Sequence, residues 1–187
     1  MVGSRIRTNT RREMNGEITI ELSNRQTSHW VDEVQLTSAA RLVLEDQHLA
    51  AASVSLAVVD ERTMHALNRR YLDHDFPTDV LSFVLEREAD HLEGEILVSA
   101  DEAADSAARY GWSTADEMML YVIHGTLHLA GYDDSTAEQR AQMRDLECRY
   151  LERFNLKPRY EEEQRPATGA AALPHSPSDA IQGERIS

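Results

Sequence analysis

The chain has 187 residues, of which 41% are hydrophobic, and this is enough for one domain with a proper core. Its single cysteine excludes an intrachain disulfide and a thiolate metal cluster, and its net charge of −14 opposes long-range attraction to a phosphate backbone. No stretch approaches the roughly 20 consecutive apolar residues of a membrane span, and the first residues lack the apolar run of a secretory signal. We therefore expect a cytoplasmic protein with no membrane partner.

Hydrophobic periodicity predicts alternating strands and helices along most of the chain. In chain order these are a strand at 16–24, a helix at 30–47, a strand at 53–59, a helix at 61–72, strands at 80–85 and 95–99, and helices at 100–110, about 114–131 and about 135–154. The polar connection between the last two strands contains Gly94. Glycine is a common residue in such turns, so we expect a pair of adjacent strands here.

Cap signals place the ends of the last two helices. Thr114 with Glu117 is the predicted capping box of the first, and Ser135 with Glu138 is the predicted cap of the second. Gly131 predicts the end of the first of these helices, because glycine readily adopts the positive φ that terminates a helix.

The two ends of the chain lack the apolar residues of a core. Residues 1–16 are rich in arginine, and we expect a flexible basic N-terminus there. Residues 157–187 carry acidic residues, proline, serine and alanine, which predicts a disordered tail. The remaining domain, residues 17–156, holds most of the negative charge.

One segment predicts a metal site on a helix and the turn after it. His124 and His128 stand one helical turn apart, so both imidazoles can face the same point. Gly131 allows the chain to leave the helix sharply and can return Asp134 to that point. Two nitrogens and one carboxylate oxygen leave a fourth position open, which is typical of catalytic zinc and predicts one bound ion. Two histidines at this spacing can also be merely structural, but the glycine and the carboxylate favour the metal site.

Gly125 separates this segment from zinc proteases. Proteases of the H-E-x-x-H type carry their general base directly after the first histidine, where this chain has glycine. We interpret Gly125 as a residue that lets a bulky substrate approach the metal. Among the other histidines, His74 and His91 lie in predicted turns that could face the metal.

These residues resemble a known family. The run from His124 to Asp134 is similar to the H-G-x-L-H-L-x-G-Y-D-H signature of the YbeY endoribonuclease family. A second block resembles that family's L-N-x-x-Y-R…P-T-D-V-L-S-F and G-D-I motifs. It consists of Leu67-Asn68, Tyr71, Pro77-Thr78-Asp79-Val80-Leu81-Ser82-Phe83 and Gly94-Glu95-Ile96. Together the blocks span about residues 55 to 150.

The resemblance implies an α+β fold, with a small mixed sheet of about four strands packed with about five helices. It implies that residues 17–156 form a metal-dependent endoribonuclease domain with zinc ligands His124, His128 and Asp134. The implied activity is cleavage of single-stranded RNA in maturation of the 16S rRNA 3′ end and in ribosome quality control. Implied partners are single-stranded rRNA and the small ribosomal subunit or its proteins.

Two positions depart from the family pattern. Asp134 stands where the family usually has histidine, and carboxylate is an acceptable zinc ligand. Leu72 replaces the arginine that follows the tyrosine, and our hypothesis is that Arg69 or Arg70 supplies the missing positive charge to the RNA. No residue is identified as the general base. Two alternatives stay open: a zinc-dependent peptide or amide hydrolase, and a non-catalytic ribosome-assembly factor with a structural zinc.

Overall fold

The computed structural model describes residues 17–72 and 77–157, and at Leu72 it describes the backbone alone. The predicted N-terminal arm lies outside these residues, as do His74 and all of the predicted tail except Lys157. Flexibility of the arm and disorder of the tail therefore stay predictions.

The described residues form four strands and five helices. The strands are β1 (Ile18–Asn24), β2 (Ala51–Val59), β3 (Val80–Arg87) and β4 (His91–Ser99). The helices are α1 (Glu33–Glu45), α2 (Glu61–Leu72), α3 (Ala100–Tyr110), α4 (Thr114–Ala130) and α5 (Ala137–Glu152). This confirms the predicted α+β class. Among these helices none combines the length and the apolar character that crossing a bilayer requires.

The sheet is mixed, with the strand order β1-β2-β4-β3. β2 pairs in parallel with both β1 and β4, and its nearly continuous apolar sequence suits a strand buried on both faces. β3 and β4 form an antiparallel hairpin, which places β3 at an edge. The register of that hairpin shifts between Val84 and Glu86, so the end of β3 is irregular.

Alternation along the strands divides the core into two layers. Even-numbered strand residues such as Leu56, Val80 and Ile96 pack with α1, α4 and α5 in the larger cluster. Odd-numbered residues such as Leu81 and Phe83 pack with Met64 and Leu67 of α2 in the smaller one. Helices α2 and α4 therefore cover opposite faces of the sheet.

Glycines bring α4 close to the sheet. A Cβ atom on Gly125 would lie 2.9 Å from both Ser82 Oγ and Val80 Cγ2, and one on Gly94 would lie 2.8 Å from a methyl of Leu129. The Ser82 hydroxyl also donates a hydrogen bond of 3.0 Å to the Gly125 carbonyl. Two expectations were wrong. Gly125 faces the sheet, so it cannot open space for a substrate, and Gly94 lies within β4 opposite Val54, not in a turn.

Both predicted caps were wrong by one residue. The α4 box uses Ser113 and Asp116, whose side chain and backbone exchange hydrogen bonds, so Thr114 becomes the first helical residue. The α5 box uses Thr136 with Gln139. Adjacent serine and threonine residues offer two equally spaced frames one residue apart, and the spacing alone does not distinguish them. At the second cap Ser135 is already committed, because its hydroxyl donates to Asp133 Oδ2 at 2.6 Å.

The close contact at Gly125 predicts the effect of a single added methyl group. In an open helix Gly→Ala stabilises by about 1 kcal/mol. Here the methyl would force α4 away from β3, and such overpacking costs about 1–3 kcal/mol. We expect Gly125→Ala to lower the free energy of unfolding, measured by urea denaturation of the metal-free protein. A gain in stability would show that the space exists and that the close packing is wrong.

Candidate metal centre

The two histidines predicted as ligands meet on one face of α4. Their Nε2 atoms lie 3.0 Å apart, and the two rings are nearly perpendicular. The spacing follows from the helix, because residues four apart stack one turn above each other. The side chain of His128 is 1% exposed and that of His124 is 16% exposed, so the pair lies at the edge of the core.

The turn after α4 returns Asp134 to the histidines. Gly131 has φ 101°, and its N–H and that of Tyr132 bond back to the carbonyls of His128 and Leu127 at 3.0 Å each. This is the glycine-ended helix that the sequence predicts. The Asp134 carboxylate then lies 4.0 Å from Nε2 of His124 and 4.0 Å from Nε2 of His128.

Two arginines hold this turn in place. Arg87, at the end of β3, donates to the carbonyls of Leu129 and Ala130 at 2.6 and 3.0 Å. Arg140, on α5, donates to the carbonyl of Asp134 at 3.0 Å. Cations at a helix C-terminus also interact favourably with the helix dipole. The position of Asp134 is therefore fixed from both sides.

Hydrogen bonds at Nδ1 determine which nitrogens face the centre. His128 Nδ1 lies 3.0 Å from the carbonyl oxygen of Tyr132, which can only accept, so this nitrogen carries the proton. His124 Nδ1 lies 2.6 Å from Oε1 of Glu147 on α5, and the carboxylate likewise accepts. In the neutral imidazoles each Nε2 atom therefore lacks a proton, and the lone pairs of the two atoms point towards the same place.

This donor set fits a metal ion. Two lone pairs that face each other at 3.0 Å repel each other when both rings are neutral. A cation between them removes this repulsion, because both lone pairs are attracted to it. One ligand atom from each of His124, His128 and Asp134 lies within 4.8 Å of the others. Zinc–nitrogen bonds of about 2.0–2.1 Å in a tetrahedral site separate ligand atoms by roughly 3.3 Å, a value between the observed 3.0 and 4.0 Å. The three groups can therefore share one ion with small side-chain adjustments.

The electrostatics of the two histidines differ. Burial lowers the pKa of His124, but the hydrogen bond and charge of Glu147 outweigh it, with Asp79 and Asp134 adding to the effect, so this pKa is raised above its usual value. Burial and the neighbouring His124 lower the pKa of His128 to about 4. A proton that enters the pair therefore resides on His124.

Sequence reasoning missed Glu147 and Asp79 as neighbours of the site. Glu147 occupies a core position of α5, because buried residues recur around it at helical spacing. A carboxylate within such a stripe is the signal that could have found it, since ionised groups are rarely buried without a partner. Asp79 is buried at the start of β3, and its nearness to His124 follows from tertiary packing alone.

The predicted RNA contacts do not join the metal ligands. Arg69 and Arg70 line an open groove of about 510 Å³ on α2, together with Arg62, His65 and Ala66. This helix packs on the face of the sheet opposite α4. The groove and the candidate metal ligands are thus two separate features of the described residues.

His91 does not face the candidate metal centre. It opens β4 and forms a separate group with the exposed residues Glu86 and Glu93.

Comparison with known proteins supplies the context for this site. The family model described as endoribonuclease YbeY matches residues 14–155. A relative named endoribonuclease YbeY from Rhodopirellula baltica is 42% identical over 128 residues, which is 63% of this chain and 66% of the relative. One of the same name from Chlorobium phaeovibrioides is 39% identical over 134 residues, which is 72% of this chain and 89% of the relative.

A solved structure agrees with the fold. The solution structure of a Thermotoga maritima protein has a TM-score of 0.51 and 24% identity, covering 74% of this chain and 92% of that one. At this identity the likeness concerns the fold alone. The match to the family model covers both the hairpin and the candidate metal centre, and it shows that the chain belongs to the YbeY endoribonuclease family.

Proposed function

We propose that this protein is a zinc-dependent endoribonuclease that cleaves single-stranded RNA, with residues 17–156 as its catalytic domain. The observation that carries the proposal is the convergence of His124, His128 and Asp134 at the end of α4. The relatives to which this chain is similar are named endoribonucleases. We further propose the roles that the family implies, in maturation of the 16S rRNA 3′ end and in ribosome quality control, in the cytoplasm.

Zinc is the ion that the donor chemistry favours. Two imidazole nitrogens and one carboxylate oxygen form a typical catalytic zinc set, which leaves one position for substrate or water. A zinc ion held there supplies Lewis acidity to a phosphoryl oxygen and to water. The protein's own contribution is to orient both rings through Glu147 and the Tyr132 carbonyl, and to bury His128 away from bulk solvent.

The basic face of α2 supports an RNA contact. Arg62, His65, Arg69 and Arg70 recur at helical spacing along one groove. Tyr71 is 49% exposed beside them, with the Arg70 guanidinium 5.4 Å from its ring centre. Cations beside exposed aromatic rings are typical of surfaces that bind single-stranded nucleic acid.

The chain that follows this face leads towards the candidate metal centre. Arg69 and Arg70 lie in the last turn of α2, from which the chain leads to Asp79 and the start of β3 beside His124. The acidic remainder of the protein does not exclude RNA, because salt screens charges beyond roughly 10 Å at 0.1 M. We propose that Arg69 and Arg70 replace the family arginine at Leu72. The acidic surface would favour basic proteins of the small ribosomal subunit as further partners.

The structure weakens the protease alternative. Gly125 occupies the position of the protease glutamate, and its Cα faces Ser82 and Val80 of the sheet. A side chain at that position could not reach the metal ligands without displacing α4.

Removal of one histidine tests the metal site and the activity together. We expect the wild-type protein to carry about one zinc per chain and to cleave labelled single-stranded RNA while leaving casein intact. We expect His128→Ala to lose zinc on dialysis and to cleave RNA more than about 100-fold slower. Substitution of a residue that only hydrogen-bonds to a metal ligand already lowers metal affinity or activity by about 10–100-fold, and loss of the ligand itself should cost more. Elemental analysis and gel electrophoresis of the RNA measure these effects.

The matched control is His91→Ala, which removes a histidine from the other group of possible ligands. Zinc that persists in His128→Ala and is lost from His91→Ala would place the ion elsewhere. Cleaved casein with intact RNA would favour the peptide hydrolase. Intact RNA with zinc-loaded protein that co-sediments with small subunits would favour the non-catalytic assembly factor.

Zinc affinity should depend on pH through one proton. Imidazoles bind zinc only when neutral, and the proton resides on His124, whose pKa is raised. Above that pKa no proton competes, whereas below it the apparent affinity should fall by about tenfold per pH unit, as for one displaced proton. His128, with a pKa of about 4, adds a second proton only in stronger acid. Affinity measured by chelator competition from pH 8 to pH 5 that does not change would contradict this.

The arginines of α2 should determine the salt dependence of RNA binding. We expect Arg69→Ala and Arg70→Ala each to weaken binding of single-stranded RNA, whatever its sequence, and to reduce the salt slope by about 1. Cleavage at moderate salt should slow accordingly, while zinc content stays unchanged. Arg153→Ala, at an exposed position after α5, is the control. If both α2 variants cleave as the wild type does, the idea that they replace the family arginine is wrong.

A further inference from the structure

Helix α5 carries a carboxylate in its buried stripe. The neighbouring positions of the stripe are Met143, Leu146, Tyr150 and Leu151, all of which are buried in the core. The side chain of Glu147 is 6% exposed. A carboxylate in such surroundings is destabilising unless a partner satisfies it. One partner is His124 Nδ1, 2.6 Å from Oε1.

We propose that Glu147 is a positioning residue for the metal centre, which holds His124 in the tautomer with its proton on Nδ1. This inference rests on the proposed function, because it assumes that Nε2 of His124 is a metal ligand. The carboxylate accepts the Nδ1 proton, so the lone pair of Nε2 points towards Nε2 of His128 at 3.0 Å. Outer carboxylates of this kind fix ring orientation and ligand basicity at metal sites.

The two histidines depend on their partners in different ways. His128 donates to the backbone carbonyl of Tyr132, which any residue at that position would supply. His124 depends on one side chain from another helix. Without that side chain its proton can move to Nε2, which lies 4.0 Å from the Asp134 carboxylate and would then compete with the metal. The competent form of His124 therefore requires Glu147.

Imidazole NMR of the metal-free protein is the direct test. Two-bond ¹H–¹⁵N spectra distinguish a protonated Nδ1 from a protonated Nε2 in neutral histidine. In the wild-type protein we expect the His124 proton on Nδ1, and a neutral ring with its proton on Nε2 overturns the proposal without any variant. Glu147→Leu should shift the signals towards the Nε2 tautomer. Glu147→Gln should retain the Nδ1 tautomer, because its amide oxygen can accept the same bond.

Zinc affinity supplies the second readout. We expect zinc to bind about 10–100-fold more weakly to Glu147→Leu than to the wild type, with a smaller loss in Glu147→Gln. Glu152→Gln, at an exposed position of the same helix, should change neither measurement. Chelator competition gives the affinities, and thermal unfolding of each metal-free variant shows whether it folds.

A purely structural role for Glu147 gives a different pattern. In that case Glu147→Leu lowers the unfolding temperature while the His124 tautomer and the zinc affinity stay as in the wild type, and this overturns the proposal. If Glu147→Leu does not fold, the tautomer in the wild type and in Glu147→Gln decides. A wild-type protein that binds no zinc contradicts the proposed function, while the spectra still decide the role of Glu147.

Discussion

Three polar side chains gathered at the edge of a hydrophobic core are the constraint on which the rest of the structure depends. Burial of imidazoles and carboxylates is unfavourable unless each polar atom has a partner. At this site the partners come from different parts of the chain: Glu147 from α5 for His124, the Tyr132 carbonyl for His128, and Arg140 for the backbone of Asp134. Because these partners lie in the turn after α4 and in α5, the helix α4, that turn and α5 must be packed together before the site exists.

The sheet provides the platform for this assembly. Gly125 allows α4 to lie directly against β3, and the Ser82 hydroxyl satisfies one of its carbonyls. With α4 held on one face, α2 covers the other, and this separates the basic groove from the candidate metal centre. The edge strand β3 lies between the two features. It follows Asp79, whose charge acts on His124, and it ends at Arg87, which donates hydrogen bonds to the last carbonyls of α4.

Local patterns were sufficient to predict the strands, the helices and the convergence at Asp134. Helical periodicity places His124 and His128 on one face, and the conformational freedom of glycine accounts for the bend at Gly131. Features that depend on distant packing were not predictable in this way. The position of Gly94 within β4 and the contact of Gly125 with the sheet both follow from which element lies opposite. Glu147 was missed for the same reason, since nothing adjacent to it in the sequence indicates that α5 lies over His124.

The turn from Gly131 to Asp134 is anchored at both ends. Arg87 donates a hydrogen bond to the end of α4 just before the turn, and Arg140 of α5 donates one to the carbonyl of Asp134. Within it, the Asp134 N–H donates to the Asp133 carboxylate at 2.8 Å. A loop restrained in this manner has few conformations to give up when a ligand arrives, so little conformational entropy is lost on binding. The third ligand of the proposed metal site is thus preorganised by two residues, Arg87 and Arg140, whose hydrogen bonds go to the backbone and not to the ligand atoms.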